Sequence, residues 1–549
     1  MVHTMEFIMD MVHHNPGEAP FNTAFLNPEK LAKYGYNAQV FKHINTAITF
    51  ENYDPEIFPE GSAEKAWMND FSKGIAEEIR KAKQAGLKVY YHIDLFVLPK
   101  RMVEKYKEEI CNADGKIDLY KEKTLEIHRA MFDELFTRFS NVDGLIIRVG
   151  ETYLHDTPYH TGNGAVAYGD KSAEKDAFVF LINFLRDEVC QKHDRYLFFR
   201  TWDCFPDRFH ADKNYYLDVT DRIEPHEKLI FSIKHTALDF WRRVRFNDCL
   251  TAGKHRQIVE VQCQREYEGK GAYPMYVMDG VINTFEEYKT PRGLKDIKNH
   301  PLICGMYTWT RGGGWHGPYI KNEFWCDLNA YVIAQFSKDP SKGEEEIFYT
   351  YTREKMGLSQ KDAEAFRSLC LLTQRGVLKG RYIEPYDEDC LHESIVPCGN
   401  WMRDDKLGGL DQLKEAFDFL YAHQAIDKAL DEKKEAMEIW QEAAALVRTI
   451  HFSDSKQAHY IDLSVRYGLC LFTIVYHGWQ VMAEGYKGDK TGAYDHRLIS
   501  KAIAAYDKAW EAYRELEKDE DCPSLYRNEY WDCPGLDTSV NRYRTKCEG

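Results

Sequence analysis

Three acids carry the strongest chemical signal in this 549-residue chain. They are Glu151 just past RVG, Asp239 in SIKHTALDF and Glu266 in VQCQREYEGKG. Breaking a glycosidic bond takes two carboxyl groups in different environments, one protonated to donate to the leaving oxygen and one ionised to activate water or attack carbon. Cations accompany the acids at Arg148, Arg200, Lys234 and Arg311, with His235 beside Lys234 and indoles at Trp202, Trp309 and Trp315. A guanidinium grips a carboxylate through two parallel hydrogen bonds, so acids ringed by cations suit a sugar that itself carries a carboxylate, a uronic acid. Plainer readings stand beside each residue. A lone acid at a strand end pairs with a neighbouring Arg as readily as it catalyses, Arg148 inside a strand serves as the structural partner of a buried acid, and GGGW lacks the spacing of a phosphate cradle. Three acids crowded into one cleft, however, are costly without a function.

These residues act together only if a fold gathers them. Short apolar, β-rich runs recur at Glu6–Val12, Tyr36–Lys42, Leu87–Ile93, Asp143–Val149, Arg195–Thr201, Lys228–Lys234, Gln257–Cys263 and Leu302–Thr308. Helical periodicity separates most of them, clearest at Asn69–Ala85, Lys121–Phe139 and Ser172–Gln191. Alternating strands and helices predict a parallel sheet, and eight strands close an α/β (β/α)8 TIM barrel whose functional groups sit at the C-terminal strand ends. Those ends also offer Asp10, His13 and His14 on the first strand, His92 and Asp94 on the third, Asp203 on the fifth and Tyr267 on the seventh. His92 with Asp94 resembles part of a metal site, but no third ligand follows at a recognisable spacing, so a sugar contact or a core histidine is favoured and neither metal nor cofactor is expected. After about Phe336 the strand signal stops and long amphipathic segments follow at Gln412–Ile450, Lys456–Met482 and His496–Lys518. The expected organisation is therefore a catalytic barrel over 1–336 and an α-helical C-terminal domain over 337–549. The final thirty or so residues suggest a surface tail, or else a loop returning to the barrel mouth.

Composition narrows the partners. A formal net charge of -16 repels a polyanion over most of the surface, which argues against nucleic acid and leaves an anionic substrate needing a local basic pocket. Aromatic residues make up 14% of the chain; rings stack on sugar faces, but most of these serve the core. The 14 cysteines contain no CxxC, so neither a zinc module nor a disulfide scaffold is indicated, and scattered thiols suit a reducing compartment. No run reaches about 18 apolar residues and the start lacks signal-peptide character. The sequence as written is expected to be cytoplasmic and off the membrane, and secreted or periplasmic if a leader has been removed.

The stretch from about Asp143 to Asp339 resembles glycoside hydrolase family 67, the α-glucuronidases that trim xylan fragments. SIKHTALDF is similar to that family's strand-six motif, which implies that Lys234 contacts the uronate and Asp239 helps activate water. VQCQREYEGKG is similar to the strand-seven motif, which assigns Glu266 to the same base pair. FFRTWD matches the strand-five Arg that binds the substrate carboxylate, giving Arg200, and YTWTRGGGWHGPYIKNEFWCDLNAYVIAQFSKDP has the look of the strand-eight segment. RVGETY departs from the pattern: the family's acid lies in a Ser-Glu-Gly context with a Lys four residues before it. The general-acid role therefore passes to Glu151, and Arg148 stands in for the Lys. The family's N-terminal β-domain has no counterpart here. The resemblance implies inverting removal of a terminal α-linked glucuronic acid, or a related uronic acid, from an oligosaccharide, and a homodimer through the helical domain. Rival readings are another TIM-barrel exo-glycosidase such as a hexosaminidase, a metal-dependent barrel hydrolase, and a non-catalytic uronate-binding protein.

Overall fold

All eight β-rich runs become strands of one closed parallel barrel in a computed structural model, which describes residues 5–14, 22–166, 170–205, 207–314, 320–390, 402–403, 406–523 and 535–548. The strands are β1 (Phe7–His13), β2 (Ala38–Lys42), β3 (Lys88–Asp94), β4 (Gly144–Arg148), β5 (Tyr196–Arg200), β6 (Leu229–Lys234), β7 (Arg256–Gln262) and β8 (Ile303–Gly312). Each pairs with its sequence neighbours, and β8 closes on β1 with Phe7 opposite Gly305 and Met9 opposite Tyr307.

Side chains of a strand alternate between faces, so every second residue of a barrel strand faces the axis. Phe7, Met9, Met11, Ala38, Val40, Tyr90, Ile146, Phe198, Ile230, Ile258, Tyr307 and Trp309 accordingly form one buried apolar cluster inside the barrel. Over the next one or two inward positions toward the C-terminal ends the same parity brings His13, Lys42, His92, Asp94, Arg148, Arg200, Lys234, Glu260, Gln262 and Arg311. The lining thus changes from apolar to polar and charged toward the C-terminal end of the barrel.

The opposite parity feeds the larger core beneath the outer helices, chief among them Ala63–Gln84, Glu122–Arg138, Lys171–Leu185 and Phe324–Lys338. The expected alternation fails at one crossing: residues 235–255, between β6 and β7, hold no helix. A short antiparallel ribbon, Val97–Pro99 with His160–Gly162, joins the loops after β3 and β4.

Past Lys338 the described regular structure is almost entirely helical. The amphipathic run Gln412–Ile450 forms two helices, Leu410–Ala422 and Ile426–Val447, broken where Gln424 takes a positive φ of 54°. Ser455–Thr491 is a single 37-residue helix. The expected surface tail is corrected for its second half: Leu536–Glu548 is a helix that buries Leu536, Val540 and Tyr543. It docks because Gly478 and Gly485, on one face of the long helix, leave room for Leu536 and Tyr543, which a Cβ at either glycine would strike. The stretch 524–534 lies outside the described residues. Among the described residues no helix is long and apolar enough to cross a membrane.

The outer helix Phe324–Lys338 clamps the loop following β7. Asn329 donates to the carbonyls of Met275 (2.7 Å), Trp325 (2.9 Å) and Cys263 (3.2 Å), and accepts from the Val277 N–H (3.0 Å). Truncating it strands several buried backbone groups at about 1–3 kcal/mol apiece. Asn329→Ala is expected to lower the urea midpoint, whereas an unchanged midpoint would show that this clamp does not hold the β7 loop.

Candidate active site

Glu151 lies in the loop after β4, half-buried, with Oε1 accepting from the Tyr153 hydroxyl at 3.1 Å and Oε2 from the Trp202 indole N–H at 3.4 Å. Trp202 follows β5, and over its ring sits the Lys234 ammonium at 3.3 Å. Lys234 forms an ion pair with Asp239. Glu151 and Asp239, 88 positions apart in the chain, therefore reach the same indole, one through its N–H and the other through a cation on its face. Trp309 of β8 completes this wall: Lys234 stands 5.7 Å and Arg200 5.1 Å from its ring, and His13 stacks on it at 4.8 Å.

Glu266 sits at the next rim, between β7 and β8. Its N–H donates to Gln262 Oε1 at 2.6 Å, Gln262 in turn donates to the Gly312 carbonyl at 3.0 Å, and the carboxylate packs against Gly313 so closely that a Cβ there would collide with it. The loop carrying Glu266 is unusual in its backbone. Arg265, Tyr267 and Lys270 all take positive φ (53°, 66° and 49°), conformations that cost non-glycine residues of order 1–3 kcal/mol each and persist only where the surroundings dictate them. Those surroundings are charged and buried. Glu268 accepts from the Arg242 N–H (2.6 Å), the Tyr382 hydroxyl (2.7 Å) and Arg265 Nε (3.2 Å), while Arg242 forks onto Glu287 and reaches the Gln374 carbonyl at 2.6 Å. Arg242 lies three residues past Asp239, so one network tied to the C-terminal helices fixes both acid-bearing loops.

The expected basic ring is present, yet it is a ring of ion pairs. Arg148 forks onto Asp94, at 2.5 Å for both contacts, and its guanidinium lies 3.8 Å from the Tyr153 ring. Arg200 forks onto Glu260 with both bonds 2.8 Å, and Ser232 adds a hydroxyl donor at 2.7 Å. Burial disfavours the Glu260 carboxylate, but Arg200 outweighs it and holds the carboxyl below its usual range. Arg311 pairs with Glu323 and donates to Gln264 at 3.0 Å. Arg148, expected to replace a substrate-binding Lys, is thus first the partner of Asp94.

His235 turns toward the protein: Nδ1 meets the Glu260 carbonyl at 3.2 Å, the ring stacks on Phe240, and burial followed by the charge of Arg265 pushes its pKa down to about 3. Asp10, fully buried under Thr308 and Thr310, is pushed up to about 7 by that burial and braces β1 against β8. Trp315 lies outside the described residues.

The end of β2, which contributed nothing to the expected site, supplies Lys42. Beside it stand two histidines already noted at the strand ends. His13 and His92 are buried, and burial together with Lys42, Arg148 and Arg200 holds both rings uncharged by pushing their pKa values well below the usual histidine range. His13 Nδ1, His92 Nε2 and Trp309 Nε1 have no protein hydrogen-bond partner among the described residues. Period-two parity would have found Lys42, while the unpaired nitrogens required coordinates. Among the described residues, metal-ligand proximity occurs at His459, Asp519 and Asp521 in the helical region, not among the barrel-mouth residues.

No protein-family model matches the chain, and no curated protein matches it in sequence. Among solved structures it is similar to one described as a GH138 enzyme targeting pectin rhamnogalacturonan II, with a TM-score of 0.60 and 12% identity over 100% of this chain and 83% of that one. A Thermobaculum terrenum O-GlcNAc hydrolase mutant aligns with a TM-score of 0.38 and 11% identity over 99% of this chain and 94% of its own. At 12% identity the likeness to the first of these is one of fold.

Removing one partner of a buried ion pair leaves an uncompensated charge and typically costs about 3–5 kcal/mol. Arg200→Ala is expected to destabilise the chain by that order in thermal or urea unfolding. Adding Glu260→Gln should recover much of the loss, because the amide needs no counter-charge. A loss in the single variant that the second substitution does not relieve would show that Arg200 matters by its packing alone.

Proposed function

We propose that this chain is an exo-acting glycoside hydrolase that removes a terminal uronic acid from an oligosaccharide. The observation that carries the reading is the convergence on Trp202 of Glu151, through the indole N–H, and of Asp239, through Lys234 on the ring face, within a mouth lined by cations and by neutral nitrogens that have no partner among the described residues. Glu151 is the general acid, delivering its proton to the leaving oxygen. Asp239, aided by Glu266, takes the proton of a water attacking the anomeric carbon from the other face. Lys234 holds Asp239 in an ion pair, and Trp202 and Trp309 form the wall against which the sugar is bound.

An inverting route of this kind needs acid and base about 6.5–9.5 Å apart, room for one water. The resemblance to family 67 favours glucuronic acid. The likeness to an enzyme targeting pectin rhamnogalacturonan II adds uronides of pectic type, since pectin is itself a uronate polymer.

Incubation with aldouronic acids and pectic oligosaccharides, followed at once by proton NMR of the released sugar, tests the reading. An anomer inverted relative to the substrate is expected from the native chain. Glu151→Gln should lose about 10²–10⁴-fold in kcat with folding unchanged, the usual worth of a positioned general acid. Turnover close to native in that variant would remove Glu151 from its role, and retained configuration would replace attack by water with a covalent intermediate.

A further inference from the structure

Charge bookkeeping around the mouth leaves one residue over. Of the five inward-parity cations at the strand ends, Arg148 pairs with Asp94, Arg200 with Glu260, Lys234 with Asp239 and Arg311 with Glu323. The fifth is Lys42, half-buried at the end of β2, where Ala38 and Val40 of the same parity already face the axis. Its ammonium donates to the His14 carbonyl at 2.9 Å and forms no ion pair among the described residues.

A cation withdrawn from water without a counter-charge is unfavourable until an anion arrives. The surroundings specify the anion's size and kind. Lys42 stands opposite His92 in the β2–β3 register, and His13, which stacks on Trp309, feels the charges of Lys42, Arg148 and Arg200 together. His13 Nδ1 and His92 Nε2, both buried and without a hydrogen-bond partner among the described residues, are neutral hydrogen-bonding groups of the type that hold hydroxyls. A single cation beside two such nitrogens and an indole face matches one carboxylate on a polyhydroxylated ring.

Resting on the uronate reading above, we propose that Lys42 is the specificity-determining residue that binds the sugar carboxylate, with His13 and His92 holding neighbouring hydroxyls. The paired guanidinium groups of Arg148 and Arg200 then shape the pocket and its field more than they bind the anion. Discrimination between a uronic acid and the corresponding neutral sugar resides in Lys42.

Binding should also move a proton. Burial, then the neighbouring Arg148, brings the pKa of Lys42 down to about 7, with Asp94 and Asp156 opposing and Arg200 assisting. Above that pH the free amine is largely neutral, and a bound carboxylate favours its charged form, so uronate binding takes up a proton and weakens as pH rises. The other titratable groups facing it are His13, His14, His43 and His92. Burial lowers His43 to about 4 and takes His13 and His92 well below the usual histidine range, so these three stay neutral throughout this range.

The test is calorimetric titration of the full chain and of Lys42→Met and Lys42→Arg with glucuronate, galacturonate and glucose, at pH 8 in buffers of different ionisation enthalpy. Native protein should prefer a uronate to glucose and take up close to one proton, a number expected when the free amine is mostly deprotonated (~1). Lys42→Met should weaken uronate at least about tenfold, leave glucose unchanged and abolish the proton uptake, while Lys42→Arg should retain the preference. A native chain that prefers uronate and a Lys42→Met variant that binds it equally well, with the same proton uptake, would overturn the assignment of Lys42 alone. A native chain without preference for uronate would overturn the functional reading beneath it. Lys42→Gln supplies the same reading if Lys42→Met fails to fold: uronate binding as tight as the native chain's in that variant overturns the assignment of Lys42.

Discussion

A charge placed inside a parallel barrel is costly unless another answers it, and that requirement pairs four of the five inward cations at the strand ends of this protein. The buried Arg200 cannot shed its proton, so Glu260, two strands away, must remain ionised to meet it, and Ser232 on the strand between them adds a hydroxyl. The same rule joins β3 to β4 through Asp94 and Arg148. Each pair spans strands that backbone hydrogen bonds already align, which lets the fork geometry form without ordering a mobile chain. Such pairs contribute little net stability, but breaking one is expensive, and they hold the strand ends in a fixed relation on which three acids from distant segments depend.

The acids themselves stand on loops, and the C-terminal helices hold those loops. Arg381, Tyr382 and the Gln374 carbonyl all contact the segments after β6 and β7, and Asn329 of the outer barrel helix Phe324–Lys338 adds its clamp on the β7 loop. Positive φ at Arg265, Tyr267 and Lys270 is sustained by this embrace. The helical region thus acts as a brace for the side of the mouth where Asp239 and Glu266 sit, while Glu151 is oriented locally by Tyr153 and Trp202.

Much of this was legible in sequence. Strands β1 to β8 announce themselves because a strand buried on both faces is apolar at nearly every position, and the runs fell within two residues of the observed limits at most ends. That Glu151 and Asp239 stand at one mouth was legible because barrel topology sends every strand end there. What sequence did not contain was pairing: nothing in RVGETY reveals that Arg148 folds back onto Asp94, 54 positions earlier. Lys42 went unnoticed because its strand ends in KHIN, without an acid or indole to draw attention, though its parity with Ala38 and Val40 marks it as inward. The break at Gln424 escaped because Leu410–Ala422 and Ile426–Val447 are both amphipathic, so apolar spacing looks continuous across the turn. The C-terminal helix Leu536–Glu548 was hidden because what docks it is two glycines some sixty residues away in sequence.

The central claim is that one sugar ring sits in the barrel mouth, with Glu151 on one side and Asp239 and Glu266 on the other. A crystal structure of the Glu151→Gln protein soaked with a uronate-capped oligosaccharide examines this directly. The account places the terminal ring against Trp202 and Trp309, its glycosidic oxygen toward residue 151 and its carboxylate toward Lys42. A ring bound outside the mouth, or one inside it with its glycosidic oxygen remote from residue 151, would contradict the account.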